Sequence, residues 1–167
     1  MKILIKNGHI VNENQIFESD ILVNGELIEK IKKKISSDYA DNIIDCEGSL
    51  ILPGIIDDQV HFRDPGYPNK ATIYSESRAA VAGGVTSYFE MPNTDPATTT
   101  LVRLNQKFDI ASKSSLANYS FMFGGTNNNF GEIEKLDFSE IPAIKLFLGS
   151  STGNMLVDDY LSLIHIS

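Results

Sequence analysis

The chain has 167 residues, 42% hydrophobic and 22% charged, the balance of a globular protein able to bury a core. A net charge of −8 argues against nucleic acid or an anionic membrane surface as a partner. The single cysteine, Cys46, excludes an internal disulfide framework and a thiolate metal cluster, so a reduced, cytoplasmic setting is expected. The apolar stretch in Met1–Lys6 is too short for a signal peptide, and no segment reaches the ~18 apolar residues of a membrane span.

Residues 1–52 hold short β-rich runs punctuated by Asn7-Gly8 and Asn24-Gly25, dipeptides that favour two-residue hairpin turns. The expected structure is a small antiparallel β unit, with Lys30, Lys32, Lys33 and Lys34 on a solvated edge and with His9 and Cys46 in structural roles. After Pro53-Gly54 the rhythm changes to strand, loop, helix, strand. The apolar run Leu50–Ile56 leads into Asp57-Asp58-Gln59-Val60-His61-Phe62-Arg63. A helix is predicted from about Thr72, its N-cap, to Ala82, stopped by Gly83-Gly84. A strand from Val85 to Met91 follows, then a helix over roughly Thr99 to Ser112 with Leu101, Leu104, Phe108 and Ala111 on one face. Ser120–Phe123 and Ile141–Leu148 read as the remaining strands. This alternation implies an α/β fold of right-handed βαβ units around a parallel sheet, doubly wound or closed as a barrel. The last residues, Leu161–Ser167, resemble a translated sequencing adapter, so 161–167 are set aside as an expected artefact, His165 included.

Three clusters carry chemistry. Alternation along the first α/β strand would put Asp57, Gln59, His61 and Arg63 on one side and Val60 and Phe62 on the other. A neutral imidazole at His61 suits Zn²⁺, and Asp57 could set its tautomer; the plainer alternatives are a satisfied polar histidine and a turn-anchoring aspartate. Lys145 sits in Ile141-Pro142-Ala143-Ile144-Lys145-Leu146-Phe147-Leu148. A buried ammonium there must lose its charge, find an anion or be modified, and a deprotonated amine can add carbon dioxide to give a metal-bridging carbamate. An edge strand with Lys145 in water is the alternative. Asn93, in Glu90-Met91-Pro92-Asn93-Thr94, could join Arg63 in holding a substrate carboxylate, or could simply shape a Pro-Asn turn. Gly149-Ser150-Ser151-Thr152-Gly153 reads as an anion-binding nest or, more plainly, a loop. No phosphate-loop, dinucleotide-binding or nucleophile-elbow motif is present.

The runs Pro53–Gly66, Ser77–Thr86 and Met91–Thr94, in this order and spacing, resemble dihydroorotase of the cyclic amidohydrolase superfamily, and the resemblance extends over residues 1–160. It implies the N-terminal part of a metal-dependent (β/α)₈ TIM barrel over 53–160, preceded over 1–52 by a small β-sandwich unit completed by both chain termini. A full barrel needs ~250 residues, so about four of its strands would lie here. The implied reaction is the reversible interconversion of (S)-dihydroorotate and N-carbamoyl-L-aspartate in pyrimidine synthesis. The resemblance makes His61 a zinc ligand and Lys145 a carboxylated bridge, and gives Arg63 and Asn93 the substrate carboxylate. The general-base aspartate and two further histidines would fall on later strands. Gln59 stands where the family usually has a first histidine, which leaves open one or two zinc ions. Two alternatives stay open: an allantoinase- or hydantoinase-type hydrolase and a catalytically inactive partner of aspartate transcarbamoylase; any full-length form is expected to be a homo-oligomer.

Overall fold

A computed structural model describes residues 1–149 and 155–166. The chain folds as two compact units, Met1–Pro53 and Gly54–Ser167.

In the first unit, β1 (Lys2–Asn12), β2 (Gln15–Asn24) and β3 (Leu27–Lys32) pair antiparallel. The expectation of a purely antiparallel unit is overturned by β4 (Asn42–Asp45) and β5 (Leu50–Ile51), which both run parallel to β1. The result is a single five-stranded sheet whose buried centre includes Leu4, Ile10, Ile21 and Leu22. Asn24-Gly25 turns as expected, with Gly25 at φ +59. Asn7-Gly8 does not turn the chain. It sits within β1 as an irregularity between Ile5 and Gly8, with Asn7 at φ +56. Tertiary bonds override the local turn signal there: the Asn7 N–H donates to buried Asp20 (3.2 Å), and its amide donates to both Asp45 oxygens (3.0 and 2.9 Å). The first hairpin is made instead by Glu13-Asn14, both left-handed (φ +49 and +60) as a type I′ turn requires.

The second unit alternates as the sequence predicts. The strands β6 (Ile55–Val60), β7 (Val85–Glu90) and β8 (Asn118–Phe121) are parallel in that order. Between them run α1 (Ile73–Ala82) and α2 (Leu101–Ser114). Thr72 caps α1 through a reciprocal capping box with Ser75, and Gly83 closes it before Gly84 at φ +87. The predicted stripe on α2 faces the core: Leu104 and Ala111 are buried, and Leu101 and Phe108 are partly buried against the same cluster. Phe62, Ile73, Tyr88, Phe121 and Phe123 join them in one aromatic-rich core. After β9 (Phe123–Gly124) and the short α3 (Phe130–Ile133), the expected strand Ile141–Leu148 shrinks to β10 (Ile144–Lys145), parallel to β9. Phe147 makes only an isolated bridge to Leu156. The chain ends in α4 (Tyr160–Ile166), with the His165 ring 5.8 Å from that of Phe130.

Candidate active site

The site forms where β6 and β7 end. β6 stops at Val60, one residue before the histidine. Phe62 turns into the core, its ring centroid 4.5 Å from that of Tyr88. Its neighbours His61 and Arg63 are not drawn in with it: His61 is exposed and Arg63 half-buried. Arg63 adopts φ +65, a left-handed conformation uncommon for a long side chain, and so bends the chain over the end of β7. Its N–H donates to Glu90 Oε1 at 3.0 Å and its Nη1 to the Asn93 carbonyl at 3.2 Å.

Asn93 is 3% exposed and lies in a turn, with Thr94 N–H and Thr98 N–H both donating to Pro92 O at 2.9 Å. Its side-chain Oδ1 is 2.9 Å from His61 Nδ1. An amide oxygen can only accept, so Nδ1 carries the proton and Nε2 presents the lone pair. Although His61 is exposed as a residue, desolvation at its ring pushes its pKa below the ordinary value; the Asn93 bond works against that shift, and the charges of Arg63, Lys145 and Lys107 reinforce it. The lowered pKa favours the neutral ring, the form a metal or an incoming proton needs.

Arg63 and Asn93 thus lie side by side as expected, and Asn93 also reaches His61, a contact the sequence did not suggest. Asp57 does not join them: its Oδ1 accepts the N–H of Gln59 at 3.1 Å, the turn-anchoring alternative, and the tautomer of His61 is set by Asn93 instead. The irregular pairing between Asp57 and Val60 breaks the strict alternation on which that expectation rested. Lys145 is half-buried on the two-residue β10, with Nζ 5.4 Å from the Phe147 ring centroid. The premise of an ammonium sealed in a strand centre is therefore corrected, although its charge is felt at His61. Residues 150–153 of the loop considered for anion binding lie outside the described residues.

Among the described residues, no three His, Cys, Asp or Glu side chains converge as a metal site. His61 and Lys145 offer two donors where zinc takes about four, so the residues present do not by themselves fit the ion. What the sequence reading missed is a pair beneath the site. Glu90 and Lys107 are each 1% exposed, with Oε2 and Nζ 2.6 Å apart. Lys107 is at helical spacing from Leu104 and Ala111, so a cation on a buried stripe was the available signal.

The dihydro-orotase-like family model matches residues 48–123. An allantoinase from Desulfitobacterium hafniense is 36% identical over 165 residues, which is 97% of this chain and 36% of that protein. A dihydroorotase from Methanosarcina acetivorans is 35% identical over 93% of this chain and 33% of its own length. Among solved structures, an L-hydantoinase (dihydropyrimidinase) from Arthrobacter aurescens superposes with a TM-score of 0.91 and 30% identity, over 98% of this chain and 37% of that one. The chain spans about a third of the length of the relatives it matches.

Proposed function

We propose, from the premise that this chain belongs with the cyclic amidohydrolases and matches the dihydro-orotase-like family model over residues 48–123, that the full-length protein interconverts (S)-dihydroorotate and N-carbamoyl-L-aspartate. The observation that carries this reading is the pairing of Arg63 with Asn93. The Arg63 guanidinium is held by the Asn93 carbonyl at 3.2 Å beside a neutral His61, which leaves its remaining donors for a carboxylate. Dihydroorotate has such a carboxylate; hydantoin and allantoin do not.

In this reading Arg63 and Asn93 fix the orientation of the ring, and His61 presents Nε2 toward the scissile amide. Zinc, one or two ions per full-length protein, belongs to the proposal only where further ligands join His61 and Lys145, with Lys145 as a carbamate; its chemistry would be activation of water. The cytoplasm is the proposed location and a homo-oligomer the proposed full-length state, with aspartate transcarbamoylase as the partner of an inactive form.

The test is Arg63→Ala in the full-length enzyme. Losing a charged hydrogen bond to substrate should raise KM for dihydroorotate by about ten- to a hundred-fold with little change in kcat. An unchanged KM would sink the dihydroorotate assignment. An allantoinase- or hydantoinase-type activity is the second reading, favoured by the allantoinase and hydantoinase similarities. Turnover of hydantoin or allantoin that is indifferent to Arg63→Ala would establish it.

A further inference from the structure

The buried ion pair is placed where it can act on substrate binding. Glu90 is the last residue of β7 and uses its two oxygens on different elements: Oε1 accepts the Arg63 N–H at 3.0 Å, and Oε2 faces Lys107 Nζ of α2 at 2.6 Å. That second contact is an ion pair without aligned hydrogen-bond geometry at Oε2. Lys107 Nζ also donates to the Met91 carbonyl at 3.2 Å and lies 4.7 Å from the Phe121 ring centroid. Burial pushes the Glu90 carboxyl up and the Lys107 amine down, each shift opposed by the other partner's charge.

A pair sealed this deeply has an energetic cost that apolar residues of similar size would avoid, so stability alone is a poor reason for it. Two features point elsewhere. The Glu90 bond goes to the backbone of Arg63, the residue at φ +65 whose side chain then reaches Asn93. The Lys107 bond goes to Met91, two residues before Asn93. The pair thereby ties the chain after β6 to the turn after β7.

We propose that Glu90, held by Lys107, is a positioning residue that keeps the Arg63 backbone in its left-handed conformation and so aims the Arg63 guanidinium at the substrate carboxylate. This rests on the assignment of Arg63 to carboxylate binding. Single substitutions would strand a buried charge, so the experiment uses two double variants of the full-length protein that both remove the charge pair and the bond to Met91. Glu90→Gln with Lys107→Met keeps an acceptor for the Arg63 N–H; Glu90→Leu with Lys107→Met does not.

The Leu/Met variant should raise KM for dihydroorotate about tenfold at nearly constant kcat, and the Gln/Met variant should keep KM near that of the parent. The second readout needs no activity. In protein labelled with ¹⁵N-arginine, the Arg63 amide proton should lie downfield in the parent and in the Gln/Met variant, and should move upfield in the Leu/Met variant. An Arg63 resonance, or a KM, that is the same in both double variants overturns the inference. An enzyme that ignores dihydroorotate while the Arg63 resonance shifts as expected overturns the functional reading and leaves the conformational role of Glu90 intact.

Discussion

His61 shows how one side chain's chemistry is set by neighbours distant in sequence. Its bond to Asn93 spans 32 positions, and that bond chooses which ring nitrogen is free. The pKa is lowered chiefly by burial, so the folded chain holds the proton less tightly than the unfolded chain, whose histidine titrates near 6.5. The stability linked to this group is therefore present above pH 6.5 and is lost as pH falls through 6.5 toward the folded midpoint. The His61 C2 proton should titrate with a midpoint below 6.5 by NMR. Because the Asn93 bond raises the midpoint, Asn93→Ala should lower it further. A midpoint at or above the unfolded value would contradict the arrangement described.

At the scale of elements, α1 was legible because its signals are local. Thr72, Ser75, Gly83 and Gly84 lie within thirteen positions and each satisfies a backbone need of the helix end. Thr72→Ala removes a cap and one half of a capping box, and should cost about 1 kcal/mol in denaturant unfolding. The loop preceding α1 makes a stronger demand. Gly66 has φ +108, and a Cβ there would run into the backbone carbonyl of Asp95. Gly66→Ala should destabilise the chain by more than the Thr72 change, both through the backbone conformation and through that collision, as a lowered unfolding midpoint. The turns of the first unit were less legible. Asn7-Gly8 carries the best dipeptide signal yet lies inside a strand, while Glu13-Asn14 carries a weaker one yet makes the hairpin. The difference is made by Asp20 and Asp45, which bond to Asn7 from other strands.

For the molecule as a whole, the pattern of exposure matters most. Within the second unit β6 is an edge of the β6–β7–β8 sheet, and Ile55 and Ile56 on it are 53% and 64% exposed. An apolar edge strand with free backbone groups invites pairing with another chain. The 167-residue chain should therefore associate as concentration rises, seen as a growing apparent mass by light scattering; a monodisperse monomer throughout would contradict this. With His61 and Lys145 as the only metal donors of the proposed site among the described residues, this chain should show no turnover of dihydroorotate. Measurable turnover by the purified chain would overturn that expectation.

The sequence by itself determined the alternation of strands and helices after Pro53, both helix caps of α1, the nearness of Arg63 to Asn93, and the histidine at the strand end. These follow from hydrophobic period, capping chemistry and motif spacing, which act over a few residues. Tertiary structure decided the rest. It placed Asn93 rather than Asp57 on His61, left Lys145 half-buried on a two-residue strand, ran β4 and β5 parallel to β1, and joined Glu90 to Lys107 beneath the site. Each of these depends on which distant backbone or side chain arrives within hydrogen-bonding or ion-pairing distance. That arrival is fixed by packing of the whole unit, and no local pattern of residues encodes it.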